Sequence, residues 1–193
     1  SEWLLFDFSL QLTTDVGPTA NREDLTDHIQ EYLNALVAEA ETDSELKTDV
    51  ARSLLQLARL QGDPDEMNLG RVAAAEKTLK QVDTMLESLA KSGSSADRIR
   101  RLRGMLLLTQ ARIEQDKHDV ATAEKLVAEA EPLILAVDRH KDGQAYAATL
   151  RLREIQYGLA FVNGEYEPAK AALERLEKLA NEKSPHLTES ERT

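Results

Sequence analysis

Cysteine is absent from the 193-residue chain, and aromatic residues make up only 4% of it. The first absence excludes disulfides and thiol nucleophiles, but it leaves the compartment open, because cytosolic and periplasmic proteins both tolerate a lack of cysteine. Runs of Val, Ile and Thr from which a sheet could be built are few. Ala, Leu, Glu, Lys and Arg are abundant, and these residues favour helices. We therefore predict an all-α protein.

Positive charge is also in short supply, since 24 basic side chains stand against 35 acidic ones and the net charge is −11. A protein that binds duplex nucleic acid normally presents a positive field, so this balance argues against nucleic acid as a partner. No stretch reaches the roughly 18 to 20 apolar residues of a membrane span, and no signal peptide opens the chain. Because the chain begins and ends abruptly, at Ser1 and Thr193, we expect it to be a piece of a longer protein. The lack of a span is then no evidence against a membrane anchor.

Catalytic patterns are missing as well. No serine lies in a G-x-S-x-G or S-x-x-K arrangement with partners, and there is no glycine-rich phosphate loop. No histidine has a second one at ligand spacing; the histidines are His28, His118, His140 and His186. We therefore predict that this chain is not an enzyme and needs no cofactor.

The segment after Gly62 begins like a calcium site, with Asp63 and Asp65 as its first ligands. An EF-hand that started at Asp63 would need an oxygen ligand at position 5, glycine at position 6 and glutamate at position 12, and the chain meets none of these requirements. We predict no metal there. Instead we expect a rigid hairpin loop, residues 62–70, in which the Asn68 side chain bonds the backbone. The residues expected to set its conformation are Gly62, Pro64, Asn68 and Gly70.

Apolar residues spaced by three and four predict helices along most of the chain. The clearest two stripes lie on either side of the hairpin loop. The first holds Val50, Leu54, Leu57, Ala58 and Leu60, and the second holds Val72, Ala75, Leu79, Val82, Leu86 and Leu89. We interpret residues 50–89 as a helical hairpin that the rest of the chain repeats. In the last helix, the same spacing predicts a buried stripe of Tyr166, Ala169, Leu173, Leu176 and Ala180.

Breaks in the helical pattern predict a single domain of seven or eight antiparallel helices. Its parts are an N-terminal capping helix (1–17), the first hairpins (18–91), a middle hairpin (92–140), a last hairpin (141–181) and a flexible tail (182–193). Residues 3–12 also alternate as a strand does, but a lone strand would have no pairing partner in this chain, so we favour the helix. Its aromatic residues either cover the end of the array or form a hydrophobic contact with a partner or a second copy; they are Trp3, Phe6 and Phe8.

Three turns share one pattern, in which a turn residue is followed two positions later by a larger apolar residue and five positions later by alanine. The turn residues are Gly70, His118 and Gly164, and the alanines are Ala75, Ala123 and Ala169. This pattern is similar to the G-x-Y-x-x-A turn of the tetratricopeptide repeat, in which the alanine lets two helices approach closely. The resemblance implies an array of helical hairpins stacked into a superhelix. The alanines lie 48 and 46 residues apart, against about 34 in the usual repeat, so the helices are expected to be longer here.

A closer resemblance covers residues 3–90. The run ELKTDVARSLLQLARLQGDPDEMNLGRVAAAEKTL is similar to a segment of long bacterial signalling proteins, in which tetratricopeptide-like repeats follow a membrane-anchored effector. The matching residues are Gln61, Gly62, Pro64, Asn68, Leu69, Gly70 and Ala75, whereas Ser53 and Ala58 replace the usual tyrosine and glycine. The resemblance implies a sensing or interaction region attached to a serine/threonine protein kinase or a winged-helix regulator. It implies an extracytoplasmic location, with the cytoplasm as the alternative, and it brings no catalytic residues.

Together these patterns predict non-catalytic recognition of a protein or peptide in a concave face lined by the first helix of each hairpin. The residues expected to contact the partner are Arg52, Gln56, Arg59, Gln110, Glu114, Arg153 and Gln156. Two other hypotheses stay open, a small molecule bound between helices and a homodimer formed through the N-terminal aromatic residues. A basic cluster is expected to form a solvated face that pairs with carboxylates of adjacent helices, because acid is in excess, and the alternative is a contact with an anion or an acidic partner; the cluster comprises Arg98, Arg100, Arg101 and Arg103.

Overall fold

The structure, a computed structural model, describes residues 19–65, 68–92, 95–140 and 142–182. Helices make up 83% of these residues and no strand occurs among them, so the all-α prediction is confirmed. Within these ranges the helices are α1 (Thr19–Glu39), α2 (Ser44–Gly62), α3 (Val72–Lys91), α4 (Ala96–Asp116), α5 (Val120–Leu135), α6 (Gly143–Val162) and α7 (Tyr166–Asn181). The predicted capping helix (1–17) and residues 183–193 of the tail lie outside the described residues. The single domain and its superhelical arrangement stay predictions.

Internal contacts divide the chain into two compact units, Ser1–Ile99 and Arg100–Thr193. In the first unit, α2 and α3 form the hairpin expected around residues 50–89. Their antiparallel order is visible where the Lys47 amine, near the start of α2, donates to Ser88 Oγ near the end of α3 at 2.9 Å. The buried residues of the two stripes are Val50, Leu54, Leu57, Ala58, Ala75, Leu79, Val82, Leu86 and Leu89. α1 packs on α2 and buries Leu33 and Ala40.

In the second unit, α4, α5 and α6 share one hydrophobic core. Its buried members are Leu108, Ala111, Ala123, Val127, Ala130, Ile134, Ala148, Leu152, Ile155 and Leu159. α7 packs along α6, but its predicted stripe is wrong at Tyr166 and Leu173, which are 75% and 38% exposed, and at Ala180, which is also exposed. Ala169, Ala172 and Leu179 are buried instead, because the two alanines let α7 lie close against its neighbour.

Aspartate side chains cap the start of three helices. Asp43 and Asp142 each accept hydrogen bonds from the backbone amides two and three residues further on. Asp119 accepts from both the hydroxyl and the amide of Thr122, and these hydrogen bonds lower the pKa of the Asp119 carboxyl. Each cap satisfies amides that have no partner inside their own helix.

The basic cluster at the start of α4 pairs with carboxylates, as predicted, at Arg98 and Arg101, but the predicted solvated face is wrong at Arg101, which is buried. Within the first unit, Arg98 donates to Glu45 at 2.6 Å and to Asp49 at 3.0 Å. Within the second unit, Arg101 is only 8% exposed and pairs with Asp142. The carboxylate that caps α6 therefore also faces a buried guanidinium.

The three turns of the shared pattern have one backbone conformation at their turn residue. The φ angle is 67° at Gly70, 64° at His118 and 71° at Gly164. Among the described residues, His118 is the single non-glycine residue with a positive φ. This left-handed region costs a residue with a side chain roughly 1 kcal/mol, so the structure holds His118 in the conformation that the turn requires.

The two short turns are Schellman motifs. The Asp119 amide donates to the Glu114 carbonyl at 2.9 Å, and the Glu165 amide donates to the Ala160 carbonyl, also at 2.9 Å. Each bond spans five residues, as in that motif. At the longer hairpin loop, the Arg71 amide donates to the Gln61 carbonyl at 2.7 Å. The alanine that follows each turn residue by five positions is at most 6% exposed. Each second helix therefore begins close against the helix before it.

Opposite substitutions at two of these turns should change stability in opposite directions. Gly164→Ala places a Cβ in the left-handed region and should lower the free energy of unfolding by about 1 kcal/mol. His118→Gly relieves the same strain, with part of the gain offset by the freer unfolded chain, and should raise it by roughly 0.5 kcal/mol. Urea denaturation followed by circular dichroism measures both. A His118→Gly variant that is as unstable as Gly164→Ala would show that the two turns are not equivalent.

Two substitutions of Asp142 should separate its roles as helix cap and as partner of Arg101. Asp142→Asn keeps a good capping side chain but removes the charge that faces Arg101, and we expect a loss of about 1 to 3 kcal/mol in the free energy of unfolding. Asp142→Ala removes the cap as well and should cost about 1 kcal/mol more. The same urea titration measures the difference. Equal losses in the two variants would rule out a capping contribution.

Candidate functional site

A groove of about 380 Å³ opens on the second unit between α5, α6 and α7. α6 packs against both other helices and lies between them. The groove is lined by residues of all three helices and by Glu165, which precedes α7. They are Glu124, Val127, Ala128 and Glu131 from α5, Gln156, Leu159 and Ala160 from α6, and Pro168, Ala171, Ala172 and Arg175 from α7. The volume falls within the roughly 300 to 1,000 Å³ of ligand-binding clefts. We call this feature the α5–α7 groove.

Small side chains create the groove. Ala128, Ala160, Ala171 and Ala172 line it on all three helices, and Pro168 joins them at the start of α7. A methyl group leaves open the space that a leucine or methionine at the same position would fill. The middle of the groove is therefore lined by small apolar side chains, and longer polar side chains surround it.

Two carboxylates mark one end of the α5–α7 groove. Glu124 lies in the first turns of α5, and Glu165 is the residue that precedes α7. Asn163, just beyond the end of α6, donates its side-chain amide to Glu124 at 2.5 Å. The Glu165 side chain makes no hydrogen bond to the start of α7. This end of the groove therefore carries negative charge that no cation of the described residues neutralises.

The other end of the groove combines a closed ion-pair network with one further cation. Arg153 of α6 donates to Glu131 of α5 at 2.7 Å and to Gln156 at 2.6 Å. The Arg153 side chain is only 14% exposed, so this network holds α5 and α6 together. Arg175 lies further along α7, is exposed, and pairs with no carboxylate of the described residues. The guanidinium of Arg175 is therefore accessible to a ligand.

Of the predicted contact residues in the second unit, Gln156 lines the groove, and Arg153 donates a hydrogen bond to Gln156. Gln110 and Glu114 lie on α4, which does not line it, and Glu114 accepts from Lys117 at 3.0 Å. The structure thus brings two of these four residues to one place.

The other three predicted contact residues lie on α2 in the first unit and bond within their own helix. Arg52 donates to Asp49 at 3.3 Å, and Arg59 donates to Gln56 at 3.2 Å. Arg59 also lies 3.9 Å from the buried Asp63 carboxylate. The local pairs give these side chains a structural role on α2.

Sequence reasoning missed most of the residues that line the groove. It identified neither the acidic end, Glu124 and Glu165, nor Arg175, because none of them belongs to a motif. A signal was present in the alanines of α5 and α7, because some of them are buried between helices and others line the groove. That signal does not tell which alanines face a neighbouring helix and which face solvent.

The hairpin loop is the second feature singled out by the sequence, and its polar groups are bonded internally. The Asn68 side chain donates to the Asp63 carbonyl at 2.8 Å and accepts from the Gly70 amide at 2.7 Å. Asp63 is fully buried and its carboxylate accepts from the Asp65 amide at 3.2 Å. Pro64 is half-buried between them. Asn68 thus bonds the backbone as expected, and the loop geometry follows from its side chains.

A polar cluster in the first unit holds the loop against α1. The Gln61 side chain, at 3% exposure, donates to Gln30 at 3.2 Å and accepts from the Thr78 hydroxyl at 2.9 Å. At the far end of the loop, Arg71 donates to Asp27 at 2.5 Å, and this hydrogen bond raises the pKa of Arg71. The loop is therefore tied to α1 at both of its ends.

No group of three or more His, Asp or Glu side chains suited to a metal ion occurs within the part of the chain that the structure describes. Each helix found there is too short or too polar to cross a bilayer. Comparisons of the chain with protein-family models, with curated proteins and with solved structures give no match.

Adding one methyl group at Gly62 should destabilise the hairpin that the loop connects. Its Cβ would lie 2.9 Å from the Ala75 Cβ and 3.1 Å from the Val72 Cα, and the backbone cannot yield as a flexible side chain would. We expect Gly62→Ala to lower the free energy of unfolding by about 1 to 3 kcal/mol. Gly158→Ala is the control, because the nearest atoms to its new Cβ lie 3.9 Å away. It should raise the free energy by about 0.5 to 1 kcal/mol, and urea denaturation that gives both variants the same sign would contradict the close contact at Gly62.

Proposed function

We propose that the chain is a non-catalytic module that binds a protein through an exposed peptide segment, and that the α5–α7 groove is the binding site. The observation that carries this proposal is the combination of an open apolar floor with charged groups at both ends of the groove. An apolar floor gains free energy by losing contact with water, whereas the charged ends select and orient what lies along it.

The dimensions of the groove suit an extended segment of five or six residues. From Glu165 to Arg175 the chain advances ten residues along α7, which corresponds to roughly 15 Å at 1.5 Å per residue. An extended peptide spans about 3.3 Å per residue, so two residues about four or five positions apart reach from one charged end to the other.

The openness of the groove favours a peptide over the small-molecule alternative. A site for a small molecule typically encloses most of its ligand. Here the rim residues Glu124, Glu165 and Arg175 are exposed to solvent, which leaves both ends of the groove free for a chain to enter and leave. The dimer alternative was based on aromatic residues that lie outside the described residues.

The hairpin loop supports a wider setting, which we also propose. Its resemblance to bacterial signalling proteins rests on residues that the loop geometry uses, namely Gly62 at the close contact, Asn68 at the backbone bonds and Gly70 at the positive φ. On that basis the module belongs to a longer bacterial signalling protein with tetratricopeptide-like repeats, on the extracytoplasmic side of a membrane and attached to a protein kinase or a winged-helix regulator. The module would then sense a partner for that effector.

Filling the groove floor should weaken peptide binding without unfolding the protein. Ala171→Leu adds three carbon atoms at a half-exposed position of the floor and keeps a strong helix former. We expect peptides selected on the wild-type protein from a phage-displayed random library to bind this variant at least about tenfold more weakly, since a steric change of this size in an apolar site is worth about 1 to 3 kcal/mol. Fluorescence anisotropy with the labelled, synthesised peptides measures the affinities.

Ala147→Leu is the matched control for this experiment, because Ala147 is exposed on α6 and does not line the groove. This variant should bind the selected peptides as the wild type does, and circular dichroism should give the same helix content for both variants. Equal affinity of Ala171→Leu and Ala147→Leu for every selected peptide would refute binding in the groove.

A further inference from the structure

The two ends of the α5–α7 groove differ in the charge that they offer to a ligand. At the acidic end, Glu124 is bonded to the neutral amide of Asn163, and Glu165 has no cation beside it among the described residues. At the other end, Glu131 is already neutralised by Arg153, so Arg175 supplies the available charge. A bound segment therefore meets two carboxylates at one end and a guanidinium at the other.

These two charges act separately on a ligand. The backbone positions that carry them, Glu165 and Arg175, are ten residues apart, which is roughly 15 Å of helical rise, and the Debye length at physiological ionic strength is about 8 Å. Each end of the groove therefore interacts mainly with the part of the ligand that is next to it. The distribution of charge along the ligand then matters more than its net charge. A uniformly basic or uniformly acidic segment would satisfy one end and be repelled at the other.

From these features we propose that the groove recognises a dipolar peptide segment. A lysine or arginine of the segment pairs with Glu124 and Glu165 at the acidic end. An aspartate or glutamate four or five positions away pairs with Arg175, and the residues between them lie over the alanine floor. This inference depends on the proposed function, since it specifies the partner of that same groove.

The experiment selects peptides from the phage-displayed random library on the wild-type protein and on two charge variants. One variant is Arg175→Glu, and the other combines Glu124→Gln with Glu165→Gln. Glu165 makes no capping hydrogen bond, so its replacement leaves the start of α7 unchanged. The matched control is Glu177→Gln, an exposed position on α7 that does not line the groove.

The wild type and Glu177→Gln should select peptides with one basic and one acidic residue four or five positions apart. The double glutamine variant should lose the preference for the basic residue, and a wild-type-selected peptide should bind it about tenfold more weakly, a difference of about 1.4 kcal/mol. Arg175→Glu should lose the acidic preference and select a second basic residue instead. These three results together would support the dipolar partner.

Two outcomes would overturn the inference, and they differ in what they leave standing. If selected peptides lose binding to Ala171→Leu but show no charge pattern, the groove binds peptides and only the dipolar partner is wrong. If no selected peptide is sensitive to Ala171→Leu, the groove is not the binding site, and the proposed function falls together with the inference.

Discussion

Small side chains lie at the start of the second helix in three hairpins, where that helix packs on the first one. Ala75, Ala123 and Ala169 each follow a left-handed turn residue by five positions, and all three are buried. The loop reverses the direction of the chain within a few residues. The two helix backbones therefore come close already at the first helical turn of the second helix. At Gly62 the approach is so close that even a Cβ would press on Ala75. The hairpins of both units depend on this steric constraint, and His118 is held at a positive φ to satisfy it.

The same use of small residues explains how a binding groove arises in a protein with few large side chains to shape one. Ala169 and Ala172 draw α7 against α6, while Ala128, Ala160 and Ala171 leave the neighbouring surface shallow. The helices are held at a fixed separation by the Arg153–Glu131 pair and by the Tyr146 hydroxyl, which donates to the Leu179 carbonyl at 2.8 Å. A preformed floor costs little conformational entropy when a peptide binds. The charged rim then supplies selectivity.

Helix stripes and turns could be predicted from the sequence because they depend on local spacing. The alanines five positions after each turn residue are buried as expected, and so are the stripes around residues 50–89 except for Leu60 and Val72, which are half-buried. The stripe of α7 was wrong at three positions, because the buried residues of this helix are Ala169, Ala172 and Leu179. The groove could not be predicted, because its lining combines Glu124, Gln156 and Arg175 from three helices whose packing is set by side-chain volume. Nor could the sequence tell that Arg52 and Arg59 bond within α2.

Nuclear magnetic resonance can locate a bound peptide segment in the α5–α7 groove residue by residue. The protein, labelled with nitrogen-15, is titrated with a peptide selected on it, and the backbone amide shifts are followed. We expect the largest shifts on groove residues of all three helices, including Ala128, Ala160 and Ala171, and no change in α2 around Arg52 and Arg59. Shifts concentrated on α2, with the groove residues unmoved, would show that the peptide does not bind in the groove.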